Sequence, residues 1–283
     1  MNRYLPVCLL DLLEFWLSNS WSCIKWSDVY SPFFNICFGV RQGSVMSPFL
    51  FAVYLNDLVD GRYNGRYSFV ILYADDILIL TSLLTELQRL LHACEEELAW
   101  LDMSINISKS CCLRIGPRYD FKCYSILTTN GLPLPWATEL RYLGVYILSS
   151  RVFKCSQDHA KRAYYRSLNA IFGKIGRSAS EEVILQLVSS KCLPILLYAS
   201  EACGLNQSDI RSLDFVVNRF LMKLFKTANL GVIQDCLSYF NFKLPSTLLV
   251  TRTHNFLAKY SNCENFICKL FSNFNTATRV HNV

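Results

Sequence analysis

The 283 residues predict an α+β chain. An antiparallel sheet with packed helices is expected over residues 1–150, followed by an all-helical region over 151–283. Three observations carry this. Short apolar, β-branched runs on either side of Ala74-Asp75-Asp76 read as two strands joined by a tight turn. Leucines and a cysteine from Leu83 to Leu101 then recur at helical spacing. From about Gln157 the apolar period is helical, with Lys and Arg on the opposite side.

Taken in order, residues 7–17 read as a mostly buried helix whose two acids, Asp11 and Glu14, form one narrow polar stripe. Short strands follow between Ile24 and Phe38, broken at Ser27-Asp28 and Ser31-Pro32. Gly39 and Gly43 frame a turn that lets the backbone approach something closely. Ser47-Pro48 predicts a helix start, with Ser47 as N-cap and Pro48 at the first helical position. That helix is apolar nearly all round, should be buried on several sides, and should run to about Val59 before Gly61 ends it. After the Asp-Asp hairpin, the helix over 83–101 should keep Glu95, Glu96 and Glu97 in water. A strand is expected from Cys111 to Ile115, a proline-containing loop over 132–135, and a strand pair around Arg141–Ile147. Helices are then expected over 157–175, after a Ser178–Glu181 capping box, and over 209–226 behind Ser208. Pro194 should kink or end the second of them. From Gly231 the pattern is less regular.

Apolar residues make up 52% of the chain and charged residues 18%, yet the Asp75-Asp76 pair interrupts the best apolar run. No run approaches the ~20 residues of a membrane helix, so no membrane partner is expected. Asp11 and Glu14 also break the first apolar stretch, so no secretory signal is read and an intracellular location is the default. Thirteen cysteines, none spaced as Cys-x-x-Cys, read as reduced and mostly buried thiols. Charge is uneven. Residues 1–150 hold 11 Lys and Arg against 14 Asp and Glu, net −3, which leaves 17 against 8, net +9, for the rest. That suits a metal site joined to a polyanion-binding arm; a basic surface with no partner fits the charge as well.

Asp75 and Asp76 are the residues that need explaining. Two carboxylates roughly 5 Å apart repel by about 3 kcal/mol at an effective dielectric near 20. A hard divalent cation such as Mg²⁺ removes that repulsion. An Asp-rich turn at a sheet edge is the competing reading.

Read with its neighbours, the hairpin resembles the reverse transcriptase of LINE-type (non-LTR) retrotransposons. Tyr73-Ala74-Asp75-Asp76 looks like that family's catalytic turn. Gly39-Val40-Arg41-Gln42-Gly43 with Ser47-Pro48-Phe49-Leu50-Phe51 is similar to its glycine-glutamine turn and helix. Asn106-Ile107-Ser108-Lys109 resembles the Asn-x-x-Lys motif, and Tyr142-Leu143-Gly144-Val145 the primer-grip hairpin. The basic helices over 157–226 are similar to the family's thumb. The resemblance implies a partial right-hand polymerase palm over 1–150, a thumb-like domain over 151–283, and two-metal nucleotidyl transfer with Mg²⁺, a dNTP, an RNA template and a DNA primer. It implies Asp75 and Asp76 as metal ligands and catalytic residues, and Lys109 as a group for the leaving pyrophosphate. Gln42 and Gly43 would meet nucleotide or template, and Tyr142, Leu143 and Gly144 the primer end. Lys161, Arg162, Arg166, Lys174, Arg219 and Lys223 would meet phosphates. A nuclear location is implied too. Otherwise Gln42 is a loop amide, Lys109 an exposed lysine at a strand start, and 142–145 a plain core hairpin.

Two-metal polymerases need a further aspartate on a neighbouring strand. Asp11 is the one tempting candidate, and it is set aside because its surroundings read as helix and resemble the segment after that motif. The expectation is that the first catalytic strand lies upstream of Met1, so the chain alone is inactive and binds Mg²⁺ weakly. The alternative is a catalytically dead remnant that binds nucleic acid through its basic helices.

Overall fold

In the computed structural model, the described residues are 6–36, 39, 43–58, 68–175, 178–265 and 268–269. They form a mixture of helices and small sheets, as the α+β expectation requires. The expected single antiparallel sheet is instead a set of short ladders, one of which is parallel. Contacts group the described residues into two units, one within Met1–Ile107 and Ile126–Leu134, the other within Ser108–Ser125 and Pro135–Val283. The hairpin around Tyr142–Val145 therefore falls in the second unit.

The first unit opens with helix α1 (Val7–Ser18). Its bounds agree with the apolar period, but none of its residues is buried, and Phe15 is 68% exposed. Four two-residue strands follow. β1 (Trp21–Ser22) pairs with β4 (Phe34–Asn35), and β2 (Lys25–Trp26) with β3 (Val29–Tyr30). Helix α2 (Ser47–Tyr54) differs from expectation in three ways, the first being that it ends at Tyr54 and not near Val59, which with Gly61 lies outside the described residues. Met46 is its N-cap and Pro48 its second residue, and the helix has no buried residue. Its apolar contribution comes one turn later, where Leu55 and Leu58 are buried around a short 3-10 turn.

The unit's core lies between strands β5 (Ser68–Tyr73) and β6 (Asp76–Thr81) and helix α3 (Leu84–Trp100). Val70 and Leu72 share the packed face with Ile77 and Ile79, against Leu90, Cys94, Leu98 and Leu101. The two strands are half-buried rather than buried on both faces: Val70 is 1% exposed, whereas Leu80 is 44% exposed. Period-two alternation puts only one face on the helix. α3 ends where expected, before Ser104, and the structure closes it with a Schellman motif. Asp102 takes φ 54°, and the Met103 amide donates to the Leu98 carbonyl at 2.8 Å. Glu95 is not simply solvated, because its carboxylate accepts from the Thr129 amide at 2.8 Å. The expected loop over 132–135 holds strand β9 (Pro133–Leu134), paired with β8 (Ile126–Leu127).

In the second unit, the strand expected over 111–115 shortens to β7 (Cys112–Leu113), lying parallel to β10 (Trp136–Ala137). β11 (Glu139–Tyr142), β12 (Val145–Leu148) and β13 (Cys155–Ser156) form an antiparallel sheet. Helices then dominate. α4 (Asp158–Ile175) matches its expected span. α5 (Glu181–Leu187) starts behind Ser180, which makes no side-chain cap bond, so the expected capping box does not form. It passes through a π turn (Val188–Cys192) into α6 (Leu193–Leu196). Pro194 lacks the amide a continuing helix would use, which accounts for the distortion there. α7 (Gln207–Leu224) is capped by Asn206 rather than Ser208: Asn206 accepts from the Asp209 amide, and Asp209 from the Asn206 amide. The stretch from 231 is more regular than expected, forming α8 (Leu230–Tyr239) and α9 (Pro245–Ser261).

Tyr164, Leu213, Val217 and Leu221 centre the core of these helices, and Leu213 and Leu221 are wholly inaccessible. Each such leucine contributes about 1.5–3 kcal/mol by leaving water. The twelve described cysteines are all free thiols; four are buried, seven half-buried, and Cys8 is exposed. Among the described residues, no helix is long and apolar enough to cross a membrane.

Candidate functional site

The Asp-Asp tip is built by strand register. Val70↔Ile79, Leu72↔Ile77 and Tyr73↔Asp76 are opposed, leaving a two-residue loop of Ala74 and Asp75. Two-residue hairpins need left-handed backbone, which glycine or asparagine usually supplies. Here Ala74 does so, at φ 51°. A non-glycine residue in that region costs roughly 1–2 kcal/mol, and the anchored strands below hold it there. Asp75 and Asp76 are both exposed. By alternation, Asp76 shares the face of Leu78 and Leu80, opposite the face packed on α3. Two hard oxygen donors are thus carried by consecutive exposed residues at the end of the hairpin.

Around the other predicted residues the picture varies. Gln42 lies outside the described residues. Gly43 has φ 83°, and a Cβ built on it would meet nothing within 4 Å. Its backbone is therefore open to approach. Lys109 is exposed in a turn of the second unit.

Tyr142, Leu143 and Gly144 form the β11–β12 turn. Leu143 takes φ 47° and Gly144 φ 81°, the doubly left-handed pattern of a tight hairpin. The sequence reading missed what braces this turn. Tyr198, just after α6, donates its hydroxyl to the Leu143 carbonyl at 3.2 Å. Its ring lies where a Cβ on Gly144 would fall, 3.0 Å from Cε1. Below the turn, Tyr146 stacks on His159 with centroids 3.5 Å apart, and His159 Nε2 is 3.0 Å from Glu139.

Of the basic residues, Lys161 is tied into the helix packing. Its ammonium donates to Ser212 at 2.9 Å and lies 3.8 Å from Asp158. Arg162, Arg166 and Lys174 are exposed along α4. Arg219 sits over Phe215 at 5.9 Å, and Lys223 over Phe172 at 5.0 Å. Between α4 and α7 these two cations border a groove of about 480 Å³. Tyr165, Asn169 and Phe172 line its other wall. The signal for that groove was present as spacing i, i+4, i+7 on one helix and i, i+4 on the other. The predicted pairing of the two helices was missing.

Residues 12–147 match the family described as reverse transcriptase (RNA-dependent DNA polymerase), and the chain carries a reverse transcriptase region. Over 183 residues it is 28% identical to the RNA-directed DNA polymerase from mobile element jockey of Drosophila funebris. The matched stretch covers 59% of this chain and 19% of that protein, so the chain spans about a fifth of its relative's length.

Proposed function

We propose that this chain contributes part of the catalytic centre for RNA-templated DNA synthesis, with a partial palm over 1–150 and a thumb over 151–283. The observation that carries the proposal is the tip of the β5–β6 hairpin, where two adjacent exposed carboxylates stand beside a left-handed alanine. Mg²⁺ is usually held by one or two carboxylates together with substrate phosphates. Asp75 and Asp76 fit that role, Asp75 as the main ligand. They do not form an all-protein cage: among the described residues, no group of three or more His, Cys, Asp or Glu gathers. When bound, Mg²⁺ would neutralise phosphate charge and orient the triphosphate of a dNTP.

The chain's own residues supply the rest. Gln42 and the Gly43 backbone meet the incoming nucleotide or template. Lys109 neutralises charge on the departing pyrophosphate. The 142–144 turn, braced by Tyr198, holds the DNA primer end. Arg162, Arg166, Lys174, Arg219 and Lys223 hold phosphates without reading sequence. Lys161 supports them by fixing α4 against α7. Family likeness also points to the nucleus, which imaging of a tagged chain would check.

The test is primer extension on RNA with Mg²⁺, using the chain translated together with its upstream coding sequence. Incorporation is expected, and Asp75→Ala should lower it by roughly a hundredfold or more. No incorporation, or incorporation indifferent to Asp75→Ala, refutes the proposal. The exposed cations of α4 favour a second reading, a non-catalytic binder of nucleic acid. Salt-sensitive RNA binding with no extension activity would support that reading, and no binding at low salt would sink it.

A further inference from the structure

We propose that the groove between α4 and α7 is a binding site for one unpaired nucleotide of a single-stranded nucleic acid, its base against an aromatic wall and its phosphate between two cations. The inference rests on the reading of these helices as a nucleic-acid face, and names a site on it. Four observations support it.

The groove is preformed, because Leu168 and Phe220 on its floor are 5% and 3% exposed and belong to the core of the unit. Its volume of about 480 Å³ falls in the ~300–1,000 Å³ range of small-molecule sites. Among the described residues, no acidic side chain lines it. Arg219 and Lys223 have no carboxylate partner among the described residues, and each is held over an aromatic ring. Such a cation keeps its charge available while its position is limited.

The wall opposite is suited to a flat, polar-edged group. Tyr165 offers aromatic surface, Phe172 carries the Lys223 ammonium over its ring, and between them the exposed Asn169 offers an amide donor and acceptor. An anion joined to a planar ring with hydrogen-bonding edges matches this combination, and a nucleotide is such a group. Continuity with a strand comes from Arg162 and Arg166. On a 3.6-residue helix these lie one stripe beside Tyr165 and Asn169. They would carry the neighbouring phosphates, while the groove takes one base. Stacking platforms with flanking cations are how proteins hold single strands without reading their sequence.

The test is fluorescence anisotropy of the full chain with a labelled twelve-nucleotide single-stranded RNA at low salt. Lys223→Gln and Tyr165→Leu should each weaken binding about tenfold, within the range that base–aromatic stacking carries. An RNA with abasic positions should bind the unaltered chain about tenfold less tightly, and Tyr165→Leu should then have no further effect. If Tyr165→Leu binds normally while Arg162→Gln/Arg166→Gln is weakened, the groove is refuted and the wider face stands. If the unaltered chain does not bind RNA at all, both fall. Should Tyr165→Leu fail to fold, 4-thiouridine crosslinking of the unaltered chain decides. Crosslinks within 165–172 support the site, and crosslinks confined to other segments overturn it.

Discussion

The Gly144 turn allows a prediction worked through from the structure. Gly144 holds φ 81°, and a Cβ there would approach Tyr198 Cε1 to 3.0 Å. Replacing it by alanine imposes two separable penalties. The left-handed backbone costs an L-residue about 1–2 kcal/mol, offset by about 0.4–1 kcal/mol because alanine narrows the unfolded ensemble. The new methyl also pushes the Tyr198 ring away, straining the 3.2 Å hydrogen bond to Leu143, a loss of about 0.5–1 kcal/mol. Gly144→Ala should therefore destabilise by about 1–2 kcal/mol. In a Tyr198→Ala background, the same change should cost only the backbone part, leaving a coupling of about 0.5–1 kcal/mol. Urea denaturation of the four proteins of this cycle, followed by far-UV circular dichroism, measures both quantities. Equal cost of Gly144→Ala with and without Tyr198 would refute the proposed brace.

Three further outcomes are expected. Ala74→Gly removes the left-handed penalty at the Asp-Asp tip, where φ is 51°, and should stabilise the hairpin by about 0.5 kcal/mol after glycine's entropic cost; destabilisation in urea would contradict this. Asn206→Ala deletes one half of the reciprocal cap on α7 and should cost about 1 kcal/mol, read as a lowered melting temperature. Burial pushes the Cys94 and Cys112 thiols up to about 11, helped by Glu95 and Glu97 beside Cys94 and by Cys111 beside Cys112. Between about pH 9 and 11 the unfolded thiols lose protons that the folded ones keep, so stability falls as pH rises through that window. Stability that rose over this range in pH-dependent urea titration would overturn the assignment. At pH 8, iodoacetamide should label exposed Cys8 well before Cys94 or Cys112.

Much of the local structure was legible because it is short-range. The β5–β6 hairpin followed from apolar runs around a polar break, and α3 and α4 from 3.6-residue spacing. Most of what failed depended on partners distant in the chain. α1 and α2 look buried by composition, yet composition does not say what covers a helix, and neither contains a buried residue. The α7 cap moved to Asn206 because Asp209, three residues on, reaches back to its amide, whereas the residue three beyond Ser208 is Arg211, which cannot accept that bond.

By itself, the sequence determined the kind of protein. Tyr73-Ala74-Asp75-Asp76, flanked in order by its neighbouring motifs, identifies a reverse transcriptase region, because residue order along one chain survives without any knowledge of packing. Tertiary structure alone decided which side chains are free to act. Lys161 and Lys223 look alike as cations on helices, but one donates to Ser212 and the other stands over Phe172 at the mouth of a groove. Likewise Tyr198, 55 residues from Leu143, became part of the turn only when folding brought its hydroxyl to that carbonyl. Spacing within an element reports which residues share a face, whereas only the packing of elements reports what that face meets.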